Sequence, residues 1–331
     1  MQLTGKRFLV IGGAGFIGSH VVDALVNSDA AEIIIYDNFC RGTRENIADA
    51  LRDSRVSVFP LGGDITQTDI LAEAMRGVDG VFHLAALWLL QCYDYPRSAF
   101  DVNIRGTFNV IEAAVAAGVK RVVYSSSASV YGNALELPMT ENHPFNNETF
   151  YGATKIAGEQ MFHSLSRRYE LPWVGLRYMN VYGPRQDYKG TYTAVVHKVL
   201  DRIEQGLPPM VYGDGSQSYD FIEVKDVAQA NICAMRSEAT DQCYNVGRGI
   251  GTSIKEVTEL LMELTNSRSL GIQFESQGRT FVTNRIGSPD KAKAELGFDW
   301  SIDLREGLQN LIDWRRANES GMISRRVAVG K

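Results

Sequence analysis

The sequence predicts an α/β fold: a doubly wound parallel sheet with helices on both faces, joined to a smaller, discontinuous C-terminal substrate-binding domain. Three observations predict it. Short β-branched runs alternate with amphipathic helical stretches, a glycine-rich turn joins the first run to the first helix, and an acidic residue closes the second run. Apolar strands separated by helices belong to a parallel sheet buried on both faces.

The elements follow in order. "RFLVIGG" and "EIIIYD" flank the helical pattern "SHVVDALVNS", and "VSVFPLGGD" precedes "TDILAEAMRG". "GVFHLAA" and "RVVYSSS" enclose the longer stretch "NIRGTFNVIEAAVAAG", and "WVGLRYMNVYG" places a strand near 173–178. Beyond it the alternation lapses and Gly, Pro and Tyr become denser. A boundary near residue 183 therefore divides a dinucleotide-binding domain, residues 1–182, from a mainly substrate-binding region, residues 183–331. "DFIEVKDVAQANICAM" and "CYNVGRG", near 220–247, read as returns to the main sheet.

Gly12, Gly15 and Gly18 stand at a GxxGxxG spacing directly after a strand and before a helix. Backbone N–H groups and the helix dipole there make a site for a pyrophosphate, and glycine lets it approach the main chain. Asp37 ends the second strand nineteen residues after Gly18. A carboxylate at that place accepts hydrogen bonds from a ribose diol and repels a 2′-phosphate, so NAD is expected over NADP. Arg41 and Arg44 either soften that preference or, as the plainer reading, are surface residues.

A second constellation lies in "YSSSASVYG" and "TFYGATKIAGEQ". Tyr151 and Lys155, four apart at a helix start, share one face. A phenol with an ordinary pKa of about 10 becomes a proton acceptor when an ammonium and a positively charged nicotinamide lie beside it. Ser127 is placed to hold the same substrate hydroxyl in line.

Composition sets the remaining bounds. With 34 Lys and Arg against 39 Asp and Glu, the 331-residue chain carries a net charge of −5 and no basic run, which argues against a nucleic-acid groove or an anionic membrane surface. Cys40, Cys92, Cys233 and Cys243 have no metal-ligand or disulfide spacing and read as reduced, cytoplasmic thiols. His20, His83, His143, His163 and His197 lack metal spacing as well. "VFHLAALWLL" is too short to span a bilayer, and the apolar run at the N-terminus is too short for a signal peptide.

Over nearly its whole length the chain resembles the extended short-chain dehydrogenase/reductases, in the NAD-dependent nucleotide-sugar epimerase and dehydratase branch. The resemblance rests on "GGAGFIGSH", "YDN", "GDI", "HLAA", "NIRGT", "SSSASVYG", "YGATK", "LRYMNVYGPR", "GDGSQSYDFIEVKDVA" and "YNVG", in that order. It implies a Rossmann domain holding NAD along Gly12, Gly15, Phe16, Ile17, Gly18, Asp37 and Asn38. Asp64 and Ile65 are implied near the adenine, Leu84, Ala85 and Ala86 along the diphosphate, and Asn103, Tyr151 and Lys155 complete the cofactor set. It further implies Ser127, Tyr151 and Lys155 as catalytic, Asn180 as contacting the phosphate or sugar side of a nucleotide-sugar substrate, and Ser127 and Tyr219 as facing that substrate. In "QGRTFVTNRIGSPDKA", Arg279 and Arg285 either supply charge to the diphosphate or to an acidic sugar, or are solvated surface arginines. A homodimer through the helix of Tyr151 and the preceding "NVIEAAVAA" helix is also implied.

Within the branch, 4,6-dehydratases carry Thr-Asp-Glu where this chain reads Ser127-Ala128-Ser129. Decarboxylases carry a Glu in the same loop, which is missing here. The serine, tyrosine and lysine match UDP-glucose 4-epimerases, which implies inversion at C4 of a UDP-sugar with retained NAD. Tyr219 stands where many relatives have an Arg, and Trp88 where some 4-epimerases have a Lys. Alternatives left open are an epimerase of another nucleotide sugar or uronate, a keto-sugar reductase or dehydrogenase, and a non-catalytic NAD-binding scaffold.

Overall fold

The computed structural model describes residues 1–186, 195–276 and 284–318. Its first half runs β1 (Arg7–Ile11), α1 (Phe16–Val26), β2 (Glu32–Tyr36), β3 (Val56–Val58), α2 (Thr68–Ala74), β4 (Gly80–His83), α3 (Leu89–Asp94), α4 (Pro96–Ala99), α5 (Thr107–Ala117) and β5 (Arg121–Ser127). Then follow α6 (Phe150–Tyr169), β6 (Trp173–Tyr178), β7 (Asn180–Tyr182), α7 (Val195–Glu204), β8 (Met210–Tyr212), β9 (Ser218–Glu223), α8 (Val224–Arg236) and β10 (Gln242–Val246). The remainder comprises β11 (Gly251–Ser253), α9 (Ile254–Leu264), β12 (Gln273–Glu275), β13 (Asn284–Arg285), α10 (Asp290–Leu296) and α11 (Leu304–Ala317).

Seven parallel strands form the main sheet in the order β3-β2-β1-β4-β5-β6-β10. Alternate residues of each strand feed opposite cores, as a two-residue side-chain period requires. Phe8, Val10, Ile33 and Ile35 pack with Val21, Val22 and Leu25 of α1 and with Val227 and Ala228 of α8. Leu9, Ile11, Ile34 and Tyr36 pack on the other face with Leu71 of α2, Val110 and Ile111 of α5, and Phe162 of α6. Full burial of each such side chain contributes about 1.5–3 kcal/mol, which is why these short apolar runs hold a central sheet.

The strand order reverses between β1 and β4, and the loops leaving these two strands open a crevice there. They also touch: the N–H groups of Leu84 and Ala85 donate to the carbonyl of Ile11 at 2.8 and 3.1 Å. Gly12, at φ +81°, fits this contact because a Cβ on it would lie 2.8 Å from the Ala85 nitrogen. A Cβ on Gly18 would lie 2.0 Å from the Gly12 carbonyl oxygen, so α1 seats against the turn only with glycine there.

A third core joins Tyr182, Val196, Val199, Phe221, Leu261, Leu308 and Leu311, from β7, α7, β9, α9 and α11. The expected return of the chain near 220–247 is divided. β10 does pair with β6 in the main sheet, but β9 does not join it: this strand pairs with β7, β11 and β13 in a separate sheet. The reason is packing, since Phe221 of β9 fills the third core while the α8 helix that follows covers the main sheet. The segment around α10 also packs back on the main core through Ala292, Leu296 and Phe298.

Candidate active site

A cleft of about 760 Å³ opens at the C-terminal ends of β1, β2, β4 and β5. At one end, Gly12, Gly15, Phe16, Ile17 and Gly18 line it. Gly15 caps α1 without a side-chain hydrogen bond, and the first turn contains no acid. The remaining free N–H groups and the positive end of the helix dipole thus face the cleft. Asp37, Asn38, Asp64 and Ile65 line the same end. The Asp37 carboxylate accepts from the N–H groups of Ala14 at 2.9 Å and Phe39 at 2.8 Å. Burial raises its pKa, and these hydrogen bonds oppose the rise. Leu84, Ala85 and Ala86 run along the opposite wall.

Arg41 is a correction. It does not sit on the open surface but lines the cleft, its Nη1 3.3 Å from Gln91 Oε1 and its guanidinium 5.2 Å from the centre of the Trp88 ring. The aromatic face attracts the cation and draws it inward. Arg44 is exposed, stacked on Phe39.

Ser127, Tyr151 and Lys155 meet at the other end. β5 carries Ser127 at its C-terminal end, where its hydroxyl accepts from the Ser129 N–H at 3.1 Å. Thr149 caps α6, accepting from Gly152 N–H at 3.1 Å, and so starts the helix just before Tyr151. One turn on, the Lys155 Nζ donates to the Ser125 carbonyl at 2.7 Å and lies 5.7 Å from the centre of the Tyr151 ring. Burial pushes the Tyr151 phenol up to about 12, and a hydrogen bond with Ser127 pulls against it. Burial brings the Lys155 ammonium down to about 8, so it keeps its proton at neutral pH.

α6 is locked to the sheet by a buried ion pair. Glu159 accepts from Arg177 Nε at 2.9 Å, Arg177 Nη2 at 2.8 Å and the Ser126 hydroxyl at 2.5 Å. Arg177 also donates to the Tyr131 hydroxyl at 2.8 Å and the Glu141 carbonyl at 3.0 Å.

Asn180 and Arg285 also line the cleft. Tyr219 does not: it lies one strand over, opposite Arg285 in the register of β9 and β13. Asn103 is likewise absent from the lining, because Leu87 occupies both ends of its carboxamide. Its Oδ1 accepts from Leu87 N–H at 2.7 Å and its Nδ2 donates to Leu87 O at 2.8 Å, with a further bond to Thr154 Oγ1 at 3.1 Å. Arg279 lies outside the described residues. Sequence reasoning missed Arg185 and Gln186, which line the cleft directly after β7. Their place just past the C-terminal end of a strand beside the crevice was the available signal.

A glycine turn on an uncapped helix, a carboxylate closing β2, and a serine, tyrosine and lysine at one cleft define a dinucleotide-dependent α/β enzyme. The uncapped N–H groups of α1 fit a diphosphate, and Asp37 fits an unphosphorylated adenosine ribose. Comparison with known proteins agrees. The NAD dependent epimerase/dehydratase family matches residues 8–247. A putative UDP-glucose 4-epimerase of Methanocaldococcus jannaschii is 34% identical over 313 residues, covering 94% of this chain and 98% of that protein. Among solved structures, the UDP-N-acetylglucosamine 4-epimerase from Methanobrevibacter ruminantium M1, in complex with UDP-N-acetylmuramic acid, superposes with TM-score 0.89 at 31% identity, covering 95% of this chain and 99% of that one. The UDP-glucose 4-epimerase of Thermus thermophilus, in complex with NAD, gives TM-score 0.82 at 31% identity, covering 94% of this chain and 99% of that one.

The chain belongs to the NAD-dependent epimerase/dehydratase family, in the extended short-chain dehydrogenase/reductase branch. It is an NAD-dependent enzyme of the nucleotide-sugar epimerase/dehydratase type. No helix among the described residues is long and apolar enough to cross a membrane.

Proposed function

We propose that the protein inverts C4 of a UDP-sugar through a transient 4-keto sugar, retaining its NAD between turnovers. The observation that carries this reading is the distribution of carboxylates: among the described residues lining the cleft, Asp37 and Asp64 are the acids, and both lie at the glycine-turn end. Elimination of water after oxidation needs an acid and a base beside the sugar, and the loop Ser127-Ala128-Ser129 supplies neither as a carboxylate. Reversible oxidation at one carbon needs only one proton acceptor, which Tyr151 provides.

NAD, when bound, takes up and returns the hydrogen of the sugar carbon with its electron pair. Tyr151 removes the C4 hydroxyl proton and later gives it back. Ser127, in hydrogen-bond contact with the phenol, holds the same hydroxyl in line. Lys155, fixed by the Ser125 carbonyl, places a positive charge beside the Tyr151 ring, which favours the phenolate against its burial. The named relatives, two 4-epimerases of known structure and a putative UDP-glucose 4-epimerase, support the same reading. Incubation with UDP-, GDP-, CDP- and dTDP-sugars, with NMR of the products, tests it: a C4 epimer is expected, and a 4-keto-6-deoxy product would replace epimerisation with dehydration.

A further inference from the structure

Three arginines of the described chain line the cleft, and their partners differ. Arg185 Nη1 is 2.7 Å from the carboxylate of Asp23. Arg41 is held by Gln91 and Trp88. Arg285 has only a long contact to the Ser129 hydroxyl, at 3.4 Å. Its Nε is buried without any hydrogen-bond partner, and no carboxylate of the described residues pairs with it. Desolvation is severe enough to bring the guanidinium down to about 10, while the groups that favour its charge are two phenols, Tyr219 and Tyr151.

A buried cation that lacks an anion is costly, and the cost is recovered only when an anion arrives. The position of Arg285 says which anion. It neighbours Tyr151 and Ser129, at the end of the cleft where the reacting hydroxyl must lie, and β13 fixes it there by pairing with β9. In a nucleotide hexose the diphosphate is attached to C1, across the ring from C4. A C6 carboxylate sits on C5, next to C4. A cation beside the proton acceptor of C4 is therefore placed for the carboxylate.

We propose that Arg285 binds the carboxylate of a nucleotide-linked uronic acid, and that the enzyme selects UDP-uronates over neutral UDP-hexoses. This rests on the C4-epimerase reading and names the substrate class of the same site. The planar fork of Arg285, with Nε and one edge unused, matches a carboxylate bidentately. The Ser129 hydroxyl, already in contact with Nη1, offers a second donor to the same group.

The test measures binding and turnover separately on the full chain with NAD. UDP-glucuronate and UDP-galacturonate are compared with UDP-glucose and UDP-galactose, by calorimetry for affinity and by NMR for C4 inversion. The uronates are expected to exceed the neutral sugars by about 100-fold in kcat/KM and by at least tenfold in affinity, the scale of one charge-assisted bidentate contact. Arg285→Met should collapse both ratios toward one, and Arg285→Lys should restore part of them; retained NAD in each variant shows that the fold is intact. Equal or better binding of the neutral sugars by the unmutated protein overturns the assignment of Arg285, whether or not epimerisation is seen. A binding preference for uronates that Arg285→Met abolishes, without any C4 inversion, upholds the carboxylate site and removes the epimerase reading instead.

Discussion

Tyr151, Lys155 and Ser127 occupy one end of the cleft, and in the proposed reaction they hold different parts of the task, so substitutions there should fail differently. Tyr151→Phe removes the proton acceptor and leaves the ring's volume, so sugar-nucleotide binding should survive while turnover falls by roughly 10²-fold or more. Lys155→Met removes the buried positive charge 5.7 Å from the centre of the Tyr151 ring; it should lose rate and also retain less NAD. Ser127→Ala removes a positioning hydrogen bond and should cost less than Tyr151→Phe. Single-turnover absorbance at the nicotinamide band, followed with a substrate found by the NMR panel, separates the three. Unchanged turnover in Tyr151→Phe would assign the proton to another group.

At the scale of elements, the reach of the triad depends on how α6 is seated, and Glu159 is its anchor on the sheet. Both partners of the Glu159–Arg177 pair are nearly sealed from solvent, at 3% and 7% exposure. Removing one charge leaves the other buried and unpaired, which costs about 3–5 kcal/mol. Glu159→Ala should therefore lower the urea midpoint strongly, and Glu159→Ala with Arg177→Met should recover much of the loss; a single substitution that leaves the midpoint unmoved would show that α6 is held by packing alone. The strands of the main sheet were legible because their apolar runs are continuous, and the glycine turn because its spacing is local. The pairing of Glu159 with Arg177 was not, since eighteen residues and a change of element separate the partners. Asn103 lies in a motif that resembles a cofactor contact, and its carboxamide is bonded to the backbone of Leu87, a contact that local sequence does not reveal. Arg41 was read as a surface residue because a lone arginine in a loop has no periodic pattern, and only the approach of Trp88 reveals where it turns. The separate sheet of β9 was hidden for a related reason, because an apolar run does not specify which sheet it joins.

For the whole molecule, assembly and acid stability are the two quantities to measure. We expect a homodimer through α5 and α6, visible by light scattering at micromolar concentration, and a monomer there would count against it. The pH dependence follows from buried titratable groups of opposite effect. Burial pushes His20 down to about 4 and both His83 and His197 to about 3. Between these values and 6.5 the unfolded chain binds protons on three imidazoles that the folded chain excludes, so stability is lost as pH falls. Burial acts the other way on Asp220 and Glu223, raised to about 6 and about 7; there the folded chain binds more protons, and stability is gained as pH falls through that range. Asp23 and Asp37, also raised by burial, act in the second sense nearer the ordinary carboxylate range. Near pH 5.5 the three imidazoles outweigh the two strongly raised acids by about one proton, which corresponds to roughly 1.4 kcal/mol per pH unit. The urea midpoint should accordingly fall between pH 6.5 and 5.5, with about one proton taken up on unfolding. A midpoint that rose on acidification over that interval would mean that Asp220 and Glu223 dominate, and Asp220→Asn should then remove the rise.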